Sequence, residues 1–209
     1  MIKKGAEANL FLEDWHGRKV IMKRRLVKKY RICQLDSQIR VHRTIHEPQI
    51  IHKAKEAGVP TPIIFEVDPS ESTIVMEWVE GKQVKQVLND LSAEERLGLC
   101  RTIGELIGRL HNNGIVHGDL TTSNMILTPG GEVVFVDFGL SEQSNELEPR
   151  GVDMHLMKRA LQSTHYSHAR ECFKAIAEGY EKIVGREAAA DVLEKVREIG
   201  RRGRYVSER

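Results

Sequence analysis

The amino-acid sequence lacks any long hydrophobic run. None of its apolar stretches approaches the ~20 residues of a membrane-spanning helix, and its beginning, MIKKGAEANL, lacks the apolar stretch of a signal peptide. We therefore expect a soluble protein that stays in the cytoplasm and has no membrane partner.

Cysteine and aromatic residues are also scarce. The three cysteines, Cys33, Cys100 and Cys172, are far apart and form no CxxC pair. This spacing favours reduced thiols in a cytosolic protein, and we interpret the cysteines as small buried side chains. The nine histidines show no HExxH spacing, so a histidine metal site is not expected. Aromatic residues make up 5% of the chain, and we interpret Trp15 and Trp78 as packing residues.

The chain has little net charge. Its formal charge is only +2, although 30% of its residues are charged, so positive charge matters where it is clustered. The clusters are KRRLVKKYR (residues 23–31) and RRGRYVSER (residues 201–209). With 209 residues, 40% of them hydrophobic, the chain can form one large domain or two small lobes that share a cleft.

Residues 1–80 predict a small lobe made of a sheet and one helix. The strand-like runs are NLFLED, RKVIMKRR and STIVMEWV. A helical segment lies between Asp36 and Gly58. Within it, Pro48 removes a helix hydrogen bond and disfavours helical geometry at Glu47, so we expect the helix to kink or restart there.

Residues 81–209 predict a mostly helical second lobe. Ser92, with Glu95 three residues later, forms a capping box at the start of a helix that Gly114 can end. The stretch NMILTPGGEVVFVDFG predicts a β-hairpin, and the chain from Val152 to Ile199 is predicted to be helical. The expected fold class is therefore α+β, in two lobes.

The motifs HGDLTTSN (residues 117–124) and VDFG (residues 136–139) indicate phosphoryl-transfer chemistry. We expect Asp119, Asn124 and Asp137 to converge at one edge of the second lobe, because VDFG follows the hairpin. The Asp119 carboxylate can orient an acceptor hydroxyl, while oxygen ligands such as Asn124 and Asp137 suit Mg²⁺. The alternative, turn-forming Asp and Asn residues, does not account for the combined spacing.

Nucleotide phosphates also need a cation from the first lobe. VIMK places Lys23 on a strand, and Glu47 on the following helix can pair with its ammonium group and orient it. Lys19, Lys28 and Lys29 are alternatives that we interpret as solvated charges. Lys23 is therefore the predicted phosphate anchor.

With these motifs, the chain resembles the small atypical kinase subunits of the KEOPS complex over essentially its whole length. The segments that carry the resemblance are KKGAEANL, IMKRRLVKKYR, LD, RTIHE, HGDLTTSNMIL, VDFGL and RRGR. It implies a two-lobed protein-kinase-like fold with Mg²⁺-dependent ATPase activity and autophosphorylation, as in an atypical serine/threonine kinase. It also implies partnership with a threonylcarbamoyltransferase subunit and other KEOPS subunits in modifying transfer RNA.

The resemblance assigns a role to each matching residue. Lys23 anchors phosphate, Glu47 is its ion-pair partner and Asp119 is the catalytic aspartate. Asn124 and Asp137 are the implied metal ligands. The other implied ATP contacts are Gly5, Ala6, Met76, Glu77 and Val79.

The sequence departs from ordinary protein kinases at several positions. Gly118 stands where most carry an arginine that binds a phosphorylated activation loop. Only fourteen positions separate Gly139 from Asp153, which is expected to open the next helix and brace the catalytic loop. Thr121 replaces a lysine of serine/threonine kinases, and Glu7 in the phosphate loop would repel phosphates unless it turns away. We expect an enzyme controlled by a bound partner and not by loop phosphorylation.

Two other functions are open at this point. One is a RIO-type or small-molecule phosphotransferase, which also has an HGDL-like loop, although no acidic insertion for a small-molecule acceptor and no winged-helix segment is found here. The other is a non-catalytic scaffold with a kinase fold. A scaffold has no chemical need for Lys23, Asp119, Asn124 and Asp137 together, so the kinase is favoured.

The basic end of the chain is predicted to contact transfer RNA. Arg201, Arg202 and Arg204 surround Gly203, which lets several guanidinium groups reach phosphates together, and Tyr205 can stack on a base. The alternative is a frayed, solvated terminus.

Overall fold

The first lobe of the computed structural model, which describes residues 3–4 and 7–202, is built on a five-stranded antiparallel sheet. Its strands are β1 (Lys3–Lys4), β2 (Ala8–Trp15), β3 (Arg18–Arg25), β4 (Ile64–Asp68) and β5 (Thr73–Glu77). They are arranged in the order β1-β2-β3-β5-β4, and helix α1 (Cys33–Glu56) joins β3 to β4. The predicted small sheet with one helix is confirmed.

Strand β3 carries the residue pattern that matters for the site. Side chains alternate between the two faces of a strand, so Lys23 and Arg25 share one face and Arg24 lies on the other. Lys23 and Arg25 are buried, whereas Arg24 is exposed and pairs with Glu71 at 2.6 Å. The three predicted strand runs fall on β2, β3 and β5, while β1 and β4 were not predicted.

Helix α1 corrects two predictions. It begins at Cys33, three residues before Asp36, and it passes through Pro48 without a restart. The residues after Pro48 pack into the main apolar core, which holds the second part of the helix in place despite the missing hydrogen bond. Cys33 is exposed at the start of this helix, so its interpretation as a buried side chain is wrong, whereas Cys100 and Cys172 are buried.

The second lobe is mostly helical, as predicted. Its helices are α2 (Val84–Val87), α3 (Ala93–Asn112), α4 (Leu147–Thr164), α5 (Ala169–Val184) and α6 (Arg186–Arg202). Its short strands are β6 (Lys82–Gln83), β7 (Ile115–Val116), β8 (Met125–Leu127), β9 (Val133–Phe135) and β10 (Glu142–Gln143). The predicted hairpin is the antiparallel pair β8–β9. The predicted capping box of Ser92 and Glu95 opens α3.

Helices α3 and α5 form the centre of this lobe. They approach each other closely at glycines: a Cβ at Gly104 would lie 2.0 Å from the carbonyl oxygen of Ile176, and one at Gly179 would lie 2.0 Å from that of Arg101. Among the described residues, every helix is too short or too polar to span a bilayer. The boundary between the lobes at residues 80 and 81 stays a prediction.

Candidate active site

A cleft of about 320 Å³ opens along β3 and β5 on one side and the β8–β9 hairpin on the other. Seven of the predicted site residues line it: Lys23, Glu47, Met76, Glu77, Val79, Asn124 and Asp137. Gly5 and Ala6 lie outside the described residues. Lys23, Asn124 and Asp137 are therefore brought to one cavity, as predicted, whereas Asp119 is not among the lining residues and is connected to them through its hydrogen bond with Asn124.

The apolar walls of the cleft were missed in the sequence. They are Leu10, Ile21, Pro62, Ile126 and Val136. Strand geometry contained a usable signal for two of them. Ile21 is two residues from Lys23 on the same face of β3, and Leu10 is the partner of Lys23 across the β2–β3 ladder. The other walls depend on how the lobes meet, which no local pattern encodes.

Lys23 lies between two carboxylates. Its Nζ atom donates to Oε1 of Glu47 at 2.7 Å and to Oδ1 of Asp137 at 2.6 Å, and Lys23 is only 6% exposed. Burial on its own would lower the pKa of Lys23, but the charges of Glu47 and Asp137 outweigh it and raise the pKa above its ordinary value. Lys23 is therefore a fixed cation at neutral pH, and the predicted pair with Glu47 is formed.

Asp119 and Asn124 form the catalytic-loop side of the site. The side-chain amide of Asn124 donates to Oδ2 of Asp119 at 2.8 Å and to its carbonyl oxygen at 2.9 Å. Asn124 is the last residue of a 3₁₀ turn (Thr122–Asn124), and its own carbonyl accepts from the amide of Val136 at 2.9 Å. That bond ties the catalytic loop to the strand leading into Asp137.

The donor set suits a hard cation. Asp137 has a φ of 64°, outside the usual range for an L-residue, and its side chain is 47% exposed toward the cleft. Among the described residues, no cluster of three or more His, Cys, Asp or Glu side chains could hold a metal by itself. The carboxylate of Asp137 with the amide oxygen of Asn124 instead matches Mg²⁺, which is usually held by few protein groups together with water and phosphate oxygens.

Asp153 braces the catalytic loop from below. Its carboxylate accepts from the backbone amides of His117 at 2.6 Å and Gly118 at 2.8 Å, which confirms the predicted contact. It does not open the helix, however, because α4 begins six residues earlier at Leu147. Burial lowers the pKa of His117, and its Nδ1 accepts from the amide of Asp119 at 3.3 Å, so this histidine supports the loop as predicted.

Gly118 has a steric role as well as lacking a guanidinium group. Its φ is 77°, and a Cβ there would lie 2.2 Å from the carbonyl oxygen of Leu140. The chain after VDFG therefore lies directly on the catalytic loop. Ser141 donates to the carbonyl of His117 at 2.9 Å, and β10 pairs with β7. Any side chain at position 118 would push these two segments apart.

Two groups of charged residues singled out in the sequence are not among the residues that line the cleft. Glu7 pairs with Arg43 on α1 and lies 3.7 Å from Arg31, which precedes the helix. Its charge is therefore partly neutralised. At the far end of the second lobe, Arg202 closes α6 and pairs with Glu148 at 2.6 Å. Arg201 is exposed beside it, and Arg204 lies outside the described residues.

Comparison with known proteins agrees with this geometry. The protein kinase domain family matches residues 5–179. The KEOPS complex subunit Bud32 of Pyrococcus abyssi is 48% identical over 98% of this chain and 96% of that protein. The chain belongs to the Bud32 family of protein kinases. The resemblance inferred from the sequence motifs is thereby confirmed.

Two further comparisons concern a longer relative and a solved structure. A probable bifunctional tRNA threonylcarbamoyladenosine biosynthesis protein of Methanothermobacter thermautotrophicus is 48% identical over 98% of this chain, which spans 36% of that relative. A solved complex of Rio2 kinase with ADP, Mg²⁺ and phosphoaspartate from Chaetomium thermophilum has a TM-score of 0.66 at 18% identity, covering 95% of this chain and 69% of that one. This similarity confirms the two-lobed kinase fold.

Proposed function

We propose that this chain is a Mg²⁺-dependent atypical serine/threonine kinase or ATPase that acts as a KEOPS subunit in tRNA threonylcarbamoyladenosine modification. The observation that carries the proposal is the position of Lys23, which contacts both Glu47 and Asp137 inside a cleft of nucleotide-binding size. The name of the Pyrococcus relative supports the KEOPS part of the proposal, and the predicted partner is a threonylcarbamoyltransferase subunit.

Each side chain has a part in the proposed chemistry. Lys23 binds phosphate oxygens of ATP, and Asn124 and Asp137 hold Mg²⁺, which would neutralise charge on the phosphates. Asp119, fixed through Asn124, orients the hydroxyl of a protein acceptor or a water molecule for attack. The apolar walls of the cleft exclude bulk water from the transferred group.

The segment after Met76 is the proposed adenine contact. The amide of Glu77 already donates to the carbonyl of Ile63 at 2.8 Å, and the Glu77 carboxylate accepts from the Ile63 amide at 3.0 Å. Glu77 can therefore offer only its carbonyl oxygen to the base, while Val79 would supply a backbone amide. This arrangement fits the donor and acceptor edge of adenine.

The proposed function includes contact with transfer RNA and a cytoplasmic location. The bifunctional relatives bear the name of tRNA threonylcarbamoyladenosine biosynthesis, which supports a role beside that reaction. We propose that Arg201, Arg202 and Arg204 contact the phosphates of transfer RNA in the assembled complex. The cytoplasmic location expected from the sequence stays a prediction.

A RIO-type phosphotransferase is the second candidate, because the fold of this chain is similar to that of Rio2 kinase. At 18% identity the likeness concerns the fold, whereas the Bud32 relative matches at 48%, so the KEOPS subunit is favoured. A non-catalytic scaffold is separated from both by measuring ATP turnover.

The test replaces Asp119 and Asp137 separately with asparagine and uses the exposed Asp191→Asn as a matched control. Asp119→Asn should lower Mg²⁺-dependent ATP turnover by about 10²-fold or more while nucleotide binding persists. Asp137→Asn should remove the part of nucleotide binding that Mg²⁺ supports. Wild-type turnover in both variants would contradict the site, and a wild-type protein that binds but never turns over ATP, alone or with its KEOPS partners, would favour the scaffold.

A further inference from the structure

Glu47 has two cationic partners. Its Oε1 atom accepts from Lys23 at 2.7 Å, and its Oε2 atom accepts from Arg25 at 2.5 Å. Glu47 is 1% exposed and Arg25 is 6% exposed, so this second pair is as deeply buried as the first. Arg25 reaches Glu47 because it is two residues after Lys23 on the same face of β3.

Arg25 also binds the backbone of the helix. The Nη2 atom that contacts Glu47 lies 3.0 Å from the carbonyl oxygen of Arg43, one helical turn before Glu47. Lys23 is shared differently, because its other partner is Asp137 in the second lobe. The side chain of Arg25 therefore contacts α1, whereas Lys23 divides its contacts between α1 and the metal side of the cleft.

The first part of α1 needs such a contact. The buried residues before Pro48 are polar: Asp36, Thr44 and Glu47. Its apolar residues Ile39 and Val41 are only partly buried, so the fully buried side chains that hold this part of the helix to the sheet are polar or charged. When the ammonium group of Lys23 is shared with nucleotide phosphates, a Glu47 carboxylate with no other partner would stay buried with less compensation for its charge.

We propose that Arg25 is a positioning residue that holds Glu47 and the first part of α1 in the productive arrangement, whether or not Lys23 is bound to phosphate. The inference rests on the proposed function for its effect on turnover. It also predicts the behaviour of α1 in the protein without nucleotide, which does not depend on catalysis.

The experiment compares Arg25→Met with Arg24→Met, which removes an exposed arginine from the opposite face of the same strand. At saturating ATP, Arg25→Met should lower turnover about tenfold to a hundredfold, since misplacement of a phosphate anchor is costly. The KM for ATP should change by less than about threefold, because the adenine and metal contacts are untouched. Arg24→Met should stay within about twofold of the wild type.

A double-mutant cycle separates positioning from packing. If Arg25 acts through Glu47, Arg25→Met should add no loss of turnover in a Glu47→Gln background. A fully additive loss would overturn the proposal. Arg25→Lys keeps the charge and should restore part of the turnover, because both contacts come from one nitrogen of the guanidinium.

Amide hydrogen exchange without nucleotide provides the readout that is independent of activity. Exchange over residues 40–51 should rise in Arg25→Met and stay near the wild type in Lys23→Met, because Arg25 then still holds Glu47. Equal exchange in the two variants would overturn the proposal. If the wild type shows no turnover, the proposed function fails and exchange alone decides the role of Arg25. Should Arg25→Met not fold, Arg25→Lys against Arg24→Lys makes the same comparison, and no difference overturns it.

Discussion

The two parts of helix α1 are held in different ways. The buried residues before Pro48 are Asp36, Thr44 and Glu47. The buried residues after it are Ile50, Ile51 and Ala54, and all three belong to the main apolar core. One continuous helix is therefore fixed by charge where it faces the cleft and by apolar packing where it joins the second lobe.

The difference separates chemistry from anchorage. Charged partners fix the position of the Glu47 carboxylate beside the predicted phosphate anchor. Each charged group is costly to bury, however, and adds little net stability. Apolar side chains supply stability without directional chemistry. Changes in the first part of the helix should therefore affect turnover most, and changes in the second part should affect the free energy of unfolding most.

The largest expected effect is on turnover, from Lys23→Met. The substitution removes the phosphate anchor, and ATP turnover should fall by about 10²-fold or more. Glu47 keeps Arg25 as a partner, so the melting temperature should change much less than turnover does. Steady-state kinetics and thermal unfolding of the same preparation test both statements.

The exposed Lys29→Met is the control for this prediction. It should match the wild type in both measurements. Loss of folding in Lys23→Met in parallel with its activity would show that the charged part of the helix also anchors it, and the comparison would fail.

The next effect is on stability, from Ile50→Ala in the second part of the helix. Ile50 is 1% exposed in the apolar core, and truncating a buried isoleucine costs about 2–5 kcal/mol of unfolding free energy. Ile45→Ala, on the same helix but 42% exposed, should cost less than about 1 kcal/mol. Denaturant unfolding measures both, and turnover per folded molecule should stay within about threefold of the wild type. Equal costs at positions 45 and 50 would contradict the division of the helix.

The sequence predicted the site better than it predicted the helix. Lys23, Glu47, Asn124 and Asp137 line one cleft. Their motifs predicted this because phosphoryl transfer requires these side chains close together. Of the two outcomes expected at Pro48, a kink or a restart, the restart was wrong, because a local rule for proline ignores the core that packs against the residues after it.

Two other features show what local patterns leave out. Arg25 could have been found from the two-residue period of β3, which puts it beside Lys23. The steric need for glycine at position 118 could not have been found in this way. A side chain there would meet the carbonyl oxygen of Leu140, which belongs to a segment beyond the β-hairpin. Strand β4 was missed for a similar reason: its pairing with β5 is a property of the folded sheet.

The smallest expected effect on stability is at the C-terminal arginines, where ion pairs are exposed. Arg202 and Glu148 are 2.6 Å apart, as close as the pairs of Lys23, but their side chains are 61% and 45% exposed. Water and salt weaken such a pair, so Arg202→Ala should change the free energy of unfolding by less than about 1 kcal/mol. Thermal unfolding at low and high salt measures this change. A larger loss would mean that this surface pair anchors α6.

The same exposure lets Arg202 exchange its carboxylate partner for an RNA phosphate. We expect deletion of residues 201–209 to weaken transfer-RNA binding by the assembled complex and to leave the fold intact. Because each phosphate contact releases counterions, a tail that neutralises about three phosphates contributes roughly −2 to −3 to the slope of log affinity against log salt. Replacing Arg201, Arg202 and Arg204 together with lysine keeps the charge and should largely preserve that slope. If the deletion changes neither affinity nor slope, the RNA contact lies elsewhere, and the basic stretch at residues 23–31 is the next surface to test.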